Sequence, residues 1–481
     1  MDLGLILSLV SVSIVAVVSV WIVLEKRQPT STLAWLLAVI TLPYLGLLLY
    51  WLLGRRRVHR KTAFKSFMRE AVSPNLPSLR ETLSEHADSQ RGQKSIEAKR
   101  HLLMLATRNT DEQPTVGNDV RILCDAAETY PALFEAIESA QHFVHVEYYI
   151  IQPDSVGERL RQALLRKAKE GLEVRLLMDG VGCWRLSSSW LNSLSQAGVK
   201  LASFLPPHLP TAILGQRWNF RNHRKLVVVD GRIGLMGGLN IGEEYEGRSK
   251  RLGYWRDRHL RIAGPAVHSL ERVFIEDWHF ATAASLDPTE HFPTPQMPGD
   301  ELVQIIPSGP DRAWQSIHMQ LFVAITTATR RCFITTPYFV PDESIRVALV
   351  TAARRGIDVR LIVPSRSDLR LVKWAGRSYY HRLLQAGVRI FEYQKGFLHA
   401  KTLVVDGNCG TVGSANMDIR SFRLNFELNA FIYGKDFARK LEAIFERDQA
   451  DSKEITLEEL DKQGPGYRFM EGLARLMSPL L

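Results

Sequence analysis

Cysteine is scarce in this chain, with four residues among 481. Cys124, Cys183, Cys332 and Cys409 are scattered, and no two of them form a CxxC pair. This distribution argues against a disulfide framework and against a cysteine-based metal site. The sequence therefore favours a reducing compartment, and it contains no pattern that calls for a metal or another cofactor.

Acidic residues are outnumbered, with 51 Asp and Glu against 61 Lys and Arg and a net charge of +10. A positive balance favours anionic partners, which include phospholipid headgroups and nucleic acid, although a generic basic surface has the same composition. The chain is long enough for two core-forming domains and an appendage. With 46% hydrophobic and 23% charged residues, the composition suits a globular protein that carries a membrane part.

Charge is missing altogether from residues 3–24, an apolar stretch long enough to span a bilayer. A second apolar stretch covers residues 33–53 and contains Pro43, a residue that can kink a helix. A cleaved signal peptide is the alternative for the first stretch, but basic residues do not precede it and its apolar run is too long. We therefore predict a hairpin of two transmembrane helices, with residues 1–60 as a membrane anchor.

Basic residues are unequally distributed around these two stretches. The connecting loop has only Lys26 and Arg27, whereas a cluster follows the second stretch: Arg55, Arg56, Arg57, Arg60, Lys61 and Lys65. The positive-inside rule then places the bulk of the chain, and its N-terminus, in the cytoplasm. The same cluster would lie against anionic headgroups of the inner leaflet.

One short pattern occurs twice with the same spacing. Each copy consists of His, Lys and Asp around a run of apolar residues, followed by two small residues and an Asn. The first copy comprises His223, Lys225, Asp230, Gly237, Gly238 and Asn240, and the second comprises His399, Lys401, Asp406, Gly413, Ser414 and Asn416. The apolar run predicts a buried strand, and alternation along it places His and Lys on one face.

These residue types suit phosphoryl-transfer chemistry. A neutral imidazole can attack phosphorus and form a covalent phospho-histidine. A second, protonated imidazole can donate to the leaving alkoxide and later accept a proton from the incoming hydroxyl. Two Lys and two Asn can hold the non-bridging oxygens. Since each copy supplies one His and one Lys, two copies that face each other would make one complete site.

The repetition extends well beyond this pattern. A predicted strand from Phe143 matches one from Phe333, aspartates at 154 and 342 each precede a helix, and Gly171 and Gly356 are natural helix stops. Strands alternate with helices, which predicts an α/β fold with sheets covered by helices. We expect a connector over 61–118, a first half over 119–285, a linker over 286–300, a second half over 301–450, and a C-terminal extension over 451–481 that lies at the membrane interface or docks on the protein's own core.

The two copies resemble the HxKxxxxD motifs of the phospholipase D superfamily. The layout of the whole chain, including its paired hydrophobic segments, is similar to that of bacterial cardiolipin synthases. The resemblance implies two phospholipase D-like halves packed with pseudo-twofold symmetry and one site at their seam. It also implies a catalytic set consisting of His223, Lys225, Asp230, His399, Lys401 and Asp406.

Other residues are candidates for supporting parts. We expect Asp230 and Asp406 to support structure rather than touch substrate. Asn240 and Asn416 are candidates for phosphate binding, with a helix-cap or loop role as the alternative. The resemblance implies an acidic residue downstream of each motif that orients a histidine. Asp257 and Glu427 are the candidates, and ordinary surface carboxylates are the alternative.

The function implied is phosphatidyl transfer between two phosphatidylglycerol molecules, giving cardiolipin and glycerol. We predict His223 as the nucleophile and His399 as the general acid and base, with the exchanged assignment as the alternative, and phosphatidylethanolamine or glycerol as alternative acceptors. The expected partners are phosphatidylglycerol and anionic membrane lipid at a bacterial inner membrane, with no cofactor, no metal and no nucleic acid. The alternatives are a hydrolase acting on phospholipid headgroups or nucleic acid, and a non-catalytic scaffold that binds anionic lipid. The sequence does not indicate an oligomeric state.

An apolar, proline-rich insert over residues 204–214 precedes the first motif and has no equivalent in the second half. One hypothesis is that it forms a lip where acyl chains enter the site. A covered loop is the other interpretation.

Overall fold

The structure is a computed structural model that describes residues 3–25, 29–51, 99–110, 112–205, 219–249 and 251–478, with N-terminal side chains described from Val10 onward. The described residues form two compact units. The smaller comprises those of Met1–His59 and Leu205–Phe220, and the larger those of Arg60–Phe204 and Arg221–Leu481. Most of the predicted insert before the first motif, over residues 206–214, lies outside the described residues.

The smaller unit contains three helices: α1 (Leu3–Leu24), α2 (Pro29–Thr41) and α3 (Pro43–Leu49). Ile22, Val39 and Tyr50 are buried where these helices pack. The second predicted stretch thus begins earlier than expected, and it is interrupted at Leu42 because Pro43 starts a new helix. Within the described residues, we find no helix that combines the length and the apolarity needed to cross a membrane. Residues 52–53 and the basic cluster after them lie outside the described part.

The larger unit is built on one continuous sheet to which both halves of the chain contribute. The strands of the first half are β1 (Thr115–Cys124), β2 (Phe143–Tyr148), β3 (Glu173–Asp179), β4 (Lys200–Phe204), β5 (Arg221–Asn222), β6 (Lys225–Val229), β7 (Ile233–Gly237), β8 (Tyr254–Arg256) and β9 (Arg258–Ala263). Those of the second half are β10 (Glu301–Ser308), β11 (Arg331–Thr335), β12 (Phe339–Val340), β13 (Asp358–Pro364), β14 (Arg389–Tyr393), β15 (Gly396–Leu398), β16 (Thr402–Val405), β17 (Cys409–Gly413), β18 (Met417–Asp418), β19 (Asn425–Ile432) and β20 (Ser452–Ile455).

The strand order repeats across the sheet. From one edge it runs β4-β3-β2-β6-β7-β9-β1, and the second half continues in mirrored order as β10-β19-β17-β16-β11-β13-β14-β20. In each half three strands run parallel, β2-β3-β4 and β11-β13-β14, and the strand after HxK, β6 or β16, is antiparallel to its neighbours. The halves join where β1 pairs with β10. The predicted duplicated α/β fold is confirmed.

Helices cover the sheet. In the first half and the segments that flank it they are α4 (Arg100–Thr110), α5 (Asp125–Glu138), α6 (Ser155–Lys169), α7 (Ser188–Gln196), α8 (Ala266–Thr282) and α9 (Pro288–His291). The second half adds α10 (Ser316–Thr326), α11 (Glu343–Arg354), α12 (Arg370–Arg377), α13 (Tyr380–Ala386), α14 (Ile419–Arg423), α15 (Lys435–Ala450), α16 (Leu457–Asp461) and α17 (Pro465–Leu476).

The predicted helix boundaries are confirmed at equivalent places in both halves. The Asp154 carboxylate accepts from the backbone N–H groups of Val156 and Gly157 at the start of α6, and Asp342 caps α11 in the same way. Past the ends of these helices, Gly171 and Gly356 adopt φ values of +89° and +85°. Residues with a side chain rarely adopt such positive φ values, so a glycine ends both helices.

Three elements of the structure extend across or beyond the expected boundaries. The first half begins at Thr115, because β1 starts four residues before the expected position 119. The helix α4, which lies within the predicted connector, packs on the second half, since Gln304 and Gln320 donate to the carbonyls of Leu103 and Leu102. The C-terminal extension begins with β20, which pairs with β14 and thereby completes the edge of the sheet.

Candidate active site

The two histidine motifs meet at the seam because short strands cross from one half to the other. The strand β5, just before His223, pairs in parallel with β19 of the second half. The strand β15, just before His399, pairs in parallel with β8 of the first half. The His223 backbone N–H donates to the Phe426 carbonyl at 2.9 Å, and that of His399 to the Arg256 carbonyl at 2.7 Å. Each histidine is therefore held by the backbone of the opposite half.

Each of the two acidic candidates contacts the motif histidine of the other half. His223 Nδ1 donates to Glu427 Oε2 at 2.9 Å, and His399 Nδ1 donates to Asp257 Oδ2 at 2.7 Å. Both carboxylates are buried. Each carboxylate therefore follows one motif along the chain but orients the histidine of the other motif. Sequence reasoning identified both residues but did not assign them to their histidines.

The electrostatics keep both imidazoles neutral in the free protein. Burial lowers the pKa of His223 to about 4, and burial together with the nearby Lys401 lowers that of His399 to about 3. A neutral ring whose Nδ1 hydrogen is donated to a carboxylate carries its lone pair on Nε2. Each ring therefore has a nucleophilic or basic Nε2.

The two motif lysines bring buried positive charge to the seam. Lys225 Nζ donates to the His223 carbonyl at 2.6 Å, while Lys401 Nζ donates to the His399 carbonyl and lies 2.9 Å from His399 Nδ1. Burial lowers the pKa of Lys225 to about 7 and that of Lys401 to about 8. The carboxylates of Glu427 and Asp257 offset part of the cost of burying these ammonium groups, and a bound anion would offset more of it.

Asn240 and Asn416 follow the strands β7 and β17, and both are buried. In each, the side-chain Oδ1 atom has no hydrogen-bond partner within the described part of the chain. The Asn240 amide donates to the Tyr245 hydroxyl at 3.3 Å, and the Asn416 backbone N–H donates to the Ser421 hydroxyl at 3.2 Å. Buried polar atoms without partners are uncommon in proteins, so each amide has capacity for a further hydrogen bond. Because Oδ1 only accepts, the Nδ2 group is the part of each amide that could donate to a phosphate oxygen.

Asp230 and Asp406 bind backbone rather than the seam. Asp230 accepts from the N–H groups of residues 141, 142 and 143, each at 2.8 Å. Asp406 likewise accepts from residues 329, 330 and 331 at 2.7–3.0 Å. Both aspartates have positive φ values, +52° and +54°. These contacts tie the turn after each motif strand to the start of β2 or β11, which supports a structural part.

The residue between His223 and Lys225 was missed by sequence reasoning. Arg224 is buried, forms an ion pair with Asp277 of α8, and donates from Nε to the Glu427 carbonyl at 3.1 Å. Next to it, Asn222 donates to Glu147 at 2.5 Å. The second motif has Ala400 in the position of Arg224. This difference between the two copies was the signal in the sequence that could have identified Arg224.

A second group that sequence reasoning missed surrounds Asp257. Arg256 Nε and Arg258 donate to Asp448 of α15 at 2.7 and 2.6 Å, and Arg256 also donates to Asp125 at 2.7 Å. The Asp257 backbone N–H donates to Asp125 as well. This ion-paired group connects the two halves and fixes the strand that presents Asp257 to His399.

Comparison with known proteins agrees with this geometry. The profile of the family described as "Cardiolipin synthase, PLD-like domain" matches residues 133–278 and 321–449, and that described as "Phospholipase_D-nuclease N-terminal" matches residues 12–55. The cardiolipin synthase of Geobacillus kaustophilus is 41% identical, covering 100% of this chain and 94% of its own. Cardiolipin synthase 2 of Bacillus anthracis is 40% identical, covering 96% of this chain and 88% of its own.

Among solved structures, the phosphatidylserine synthase of Haemophilus influenzae superposes with a TM-score of 0.60 at 16% identity, covering 81% of this chain and all of its own. That likeness concerns the fold. The duplicated fold and the paired His–Lys motifs at its seam define a protein of the phospholipase D superfamily. Within that superfamily, the chain belongs to the cardiolipin synthase family.

Proposed function

We propose that this protein is a cardiolipin synthase, which transfers the phosphatidyl group of one phosphatidylglycerol to a hydroxyl of a second and releases glycerol. The observation that carries the proposal is the pair of neutral imidazoles, each oriented by a carboxylate of the opposite half and accompanied by a buried lysine. Relatives named cardiolipin synthase match the chain over nearly its full length, which supports the choice of substrate.

In the first step, His223 Nε2 attacks the phosphodiester phosphorus. A P–N bond forms and the P–O bond to the glycerol headgroup breaks. His399, which gains a proton when the anionic substrate enters, donates it to the departing glycerol oxygen. Asp257 stabilises the imidazolium form of His399, in the way a buried carboxylate supports a catalytic histidine.

In the second step, a headgroup hydroxyl of another phosphatidylglycerol attacks the same phosphorus. His399 takes the proton of that hydroxyl, the P–N bond breaks, and cardiolipin leaves with His223 neutral again. Lys225, Lys401, Asn240 and Asn416 hold the non-bridging oxygens in both steps. Transfer rather than hydrolysis requires that lipid hydroxyl outcompete water, so the site depends on a dry approach.

The N-terminal helices are the proposed membrane anchor. We place its two spans at about residues 3–24 and 33–53 within an anchor of residues 1–60, with the catalytic part on the cytoplasmic face of a bacterial inner membrane. The uncharged sequence of α1 and the match of residues 12–55 to the N-terminal family support this placement. The globular halves then cover 115–285 and 301–450, joined by the linker over 286–300.

The decisive experiment supplies the purified full-length enzyme with labelled phosphatidylglycerol and no other lipid. We expect equal amounts of cardiolipin and glycerol, with no requirement for a nucleotide. A reverse reaction with excess glycerol should return phosphatidylglycerol. Phosphatidic acid as the only labelled product would instead identify a hydrolase, and lipid binding without turnover would identify a scaffold.

The lysines predict a pH dependence of substrate binding. Because the folded-state pKa of Lys225 is about 7 and that of Lys401 about 8, both are charged below pH 7 and lose their protons as the pH rises. The KM for phosphatidylglycerol should therefore be nearly constant around pH 6, rise from about pH 7 as Lys225 loses its proton, approach about tenfold per pH unit, and steepen above pH 8 as Lys401 loses its proton too. Steady-state rates in mixed micelles would measure this.

Lys225→Arg is the matched control, because a guanidinium stays charged throughout this range. Because only Lys401 then titrates, the KM of this variant should begin to rise at a pH about one unit higher than that of the wild type. A wild-type KM that stays constant from pH 6 to 9.5 would contradict a role for these lysines in binding the phosphate.

A further inference from the structure

A second cluster of ionisable side chains lies in the first half, apart from the seam. It contains His145 in β2, Glu173 at the start of β3 and His291 at the end of α9. One ligand atom from each residue lies within 4.8 Å of the others. We propose that these three residues bind a divalent transition-metal ion of the Zn²⁺ type, in a site independent of the proposed catalysis.

The two imidazoles are oriented as metal ligands are. His145 Nδ1 donates to Glu271 Oε1 of α8 at 2.8 Å, and His291 Nδ1 donates to the Asp287 carbonyl at 2.8 Å. Metal-ligating histidines nearly always donate their other ring N–H to a carboxylate or a backbone carbonyl, which fixes the tautomer. Both Nε2 atoms are thereby left with lone pairs that point toward the same place, near Glu173.

The distances favour a metal ion over shared protons. Glu173 Oε1 lies 3.2 Å from His145 Nε2 and 3.0 Å from His291 Nε2. Three acceptors that face one another need either shared protons or a cation between them. Charge-assisted N–H···O contacts are typically about 2.7–2.9 Å. With metal bonds of about 2.0–2.1 Å, the edge of a tetrahedron is about 3.3 Å, so the 3.2 Å separation favours two ligands of one ion, and the 3.0 Å separation lies between the two cases.

The surroundings complete such a site. Arg175 Nε donates to Glu173 Oε1 at 2.7 Å, as an outer-shell hydrogen bond that holds a ligating carboxylate in place. Phe274 stacks on the His145 ring at a centroid distance of 4.4 Å and fixes its orientation. The Glu173 side chain is 25% exposed, which leaves a path for the ion and room for a water as fourth ligand.

A second observation points to a cation here. Glu271 is fully buried, and its Oε2 atom has no hydrogen-bond partner in the part of the chain that the structure describes. Arg175 and Lys200 both pair with Glu173, whereas within the described residues Glu271 pairs only with His145. A divalent ion would therefore bring positive charge next to a buried carboxylate. The ion would also fasten α9, which lies in the linker between the halves, to β2 and β3 of the first half.

The test uses the full-length protein in detergent after removal of metal with a chelator. Co²⁺ titration should show one binding site per chain, with the visible absorption bands of a four-coordinate ion, and Zn²⁺ should abolish those bands. Zn²⁺ should also raise the midpoint of thermal unfolding. His291→Ala and the isosteric Glu173→Gln should both lose these bands and the thermal shift.

His142→Ala is the matched control, because His142 is exposed, lies three residues from His145 and makes its contacts through backbone atoms: its N–H donates to Asp230 and its carbonyl accepts from the Glu173 N–H. This variant should bind Co²⁺ like the wild type. If His291→Ala fails to fold, Glu173→Gln alone decides the question. Equal Co²⁺ spectra in wild type and Glu173→Gln, or no one-equivalent site in the wild type, would overturn the proposal and leave the cluster as a proton-linked ion pair.

Discussion

Replacing His223 or His399 by alanine should lower the rate of cardiolipin formation by at least about 10⁴-fold. Without His223 no P–N bond can form, and without His399 the glycerol must leave as an unprotonated alkoxide. Because the two rings act as one unit, the double variant should be little slower than either single variant. Initial rates with labelled phosphatidylglycerol measure the effect, and His142→Ala should retain the wild-type rate.

The assignment of the nucleophile needs a substrate whose leaving group requires no proton. With a p-nitrophenyl phosphodiester of a diacylglycerol, His399→Ala should release a burst of p-nitrophenolate and retain a phosphoryl group that is labile in acid and stable in base. His223→Ala should show neither. The reverse pattern would make His399 the nucleophile, and undiminished turnover in either variant would refute the two-histidine mechanism.

Neutralising the two buried carboxylates should have the next largest effect. Glu427→Gln and Asp257→Asn each remove the charge that orients a histidine and stabilises its protonated form, and the comparable change in a catalytic triad costs about 10⁴-fold. We expect losses of about 10²–10⁴-fold in initial rate. Glu343→Gln, at an exposed position of α11, is a matched control and should leave the rate unchanged.

The crossed contacts predict which step each variant slows. Glu427 orients His223, so Glu427→Gln should slow the p-nitrophenolate burst. Asp257 orients His399, so Asp257→Asn should preserve the burst and slow the transfer to the lipid hydroxyl. If each carboxylate served the histidine of its own half, the two patterns would be exchanged. Thermal unfolding of both variants separates these effects from loss of folded protein.

Much of the fold could be predicted because the two halves carry the same local sequence signals. Asp154 and Asp342 cap their helices, and Gly171 and Gly356 stop them, as the spacing indicated. One register was wrong. Matching Phe143 with Phe333 is off by two residues, because Glu147 pairs with Leu226 and its structural equivalent Thr335 pairs with Thr402. A shift by two keeps every side chain on the same face, so the apolar pattern does not reveal it.

The composition of the site could be predicted only in part. The repeated spacing of the two motifs predicted that the histidines and lysines share one site. The family resemblance predicted the acidic residues. The crossing of the carboxylates could not be inferred, since it depends on β5 and β15, strands too short to have a pattern of their own. Arg224 and Asp448 were missed because their partners lie in distant segments, where a single charged residue is not a signal.

The pairing of β1 with β10 restricts how the enzyme can move. Because backbone hydrogen bonds run through the boundary, the halves cannot swing apart like the domains of a hinged enzyme without breaking a sheet. The distance between the imidazoles should therefore change little during the catalytic cycle. Lipids would have to enter and leave the site without a hinge-like closure of the two halves around them.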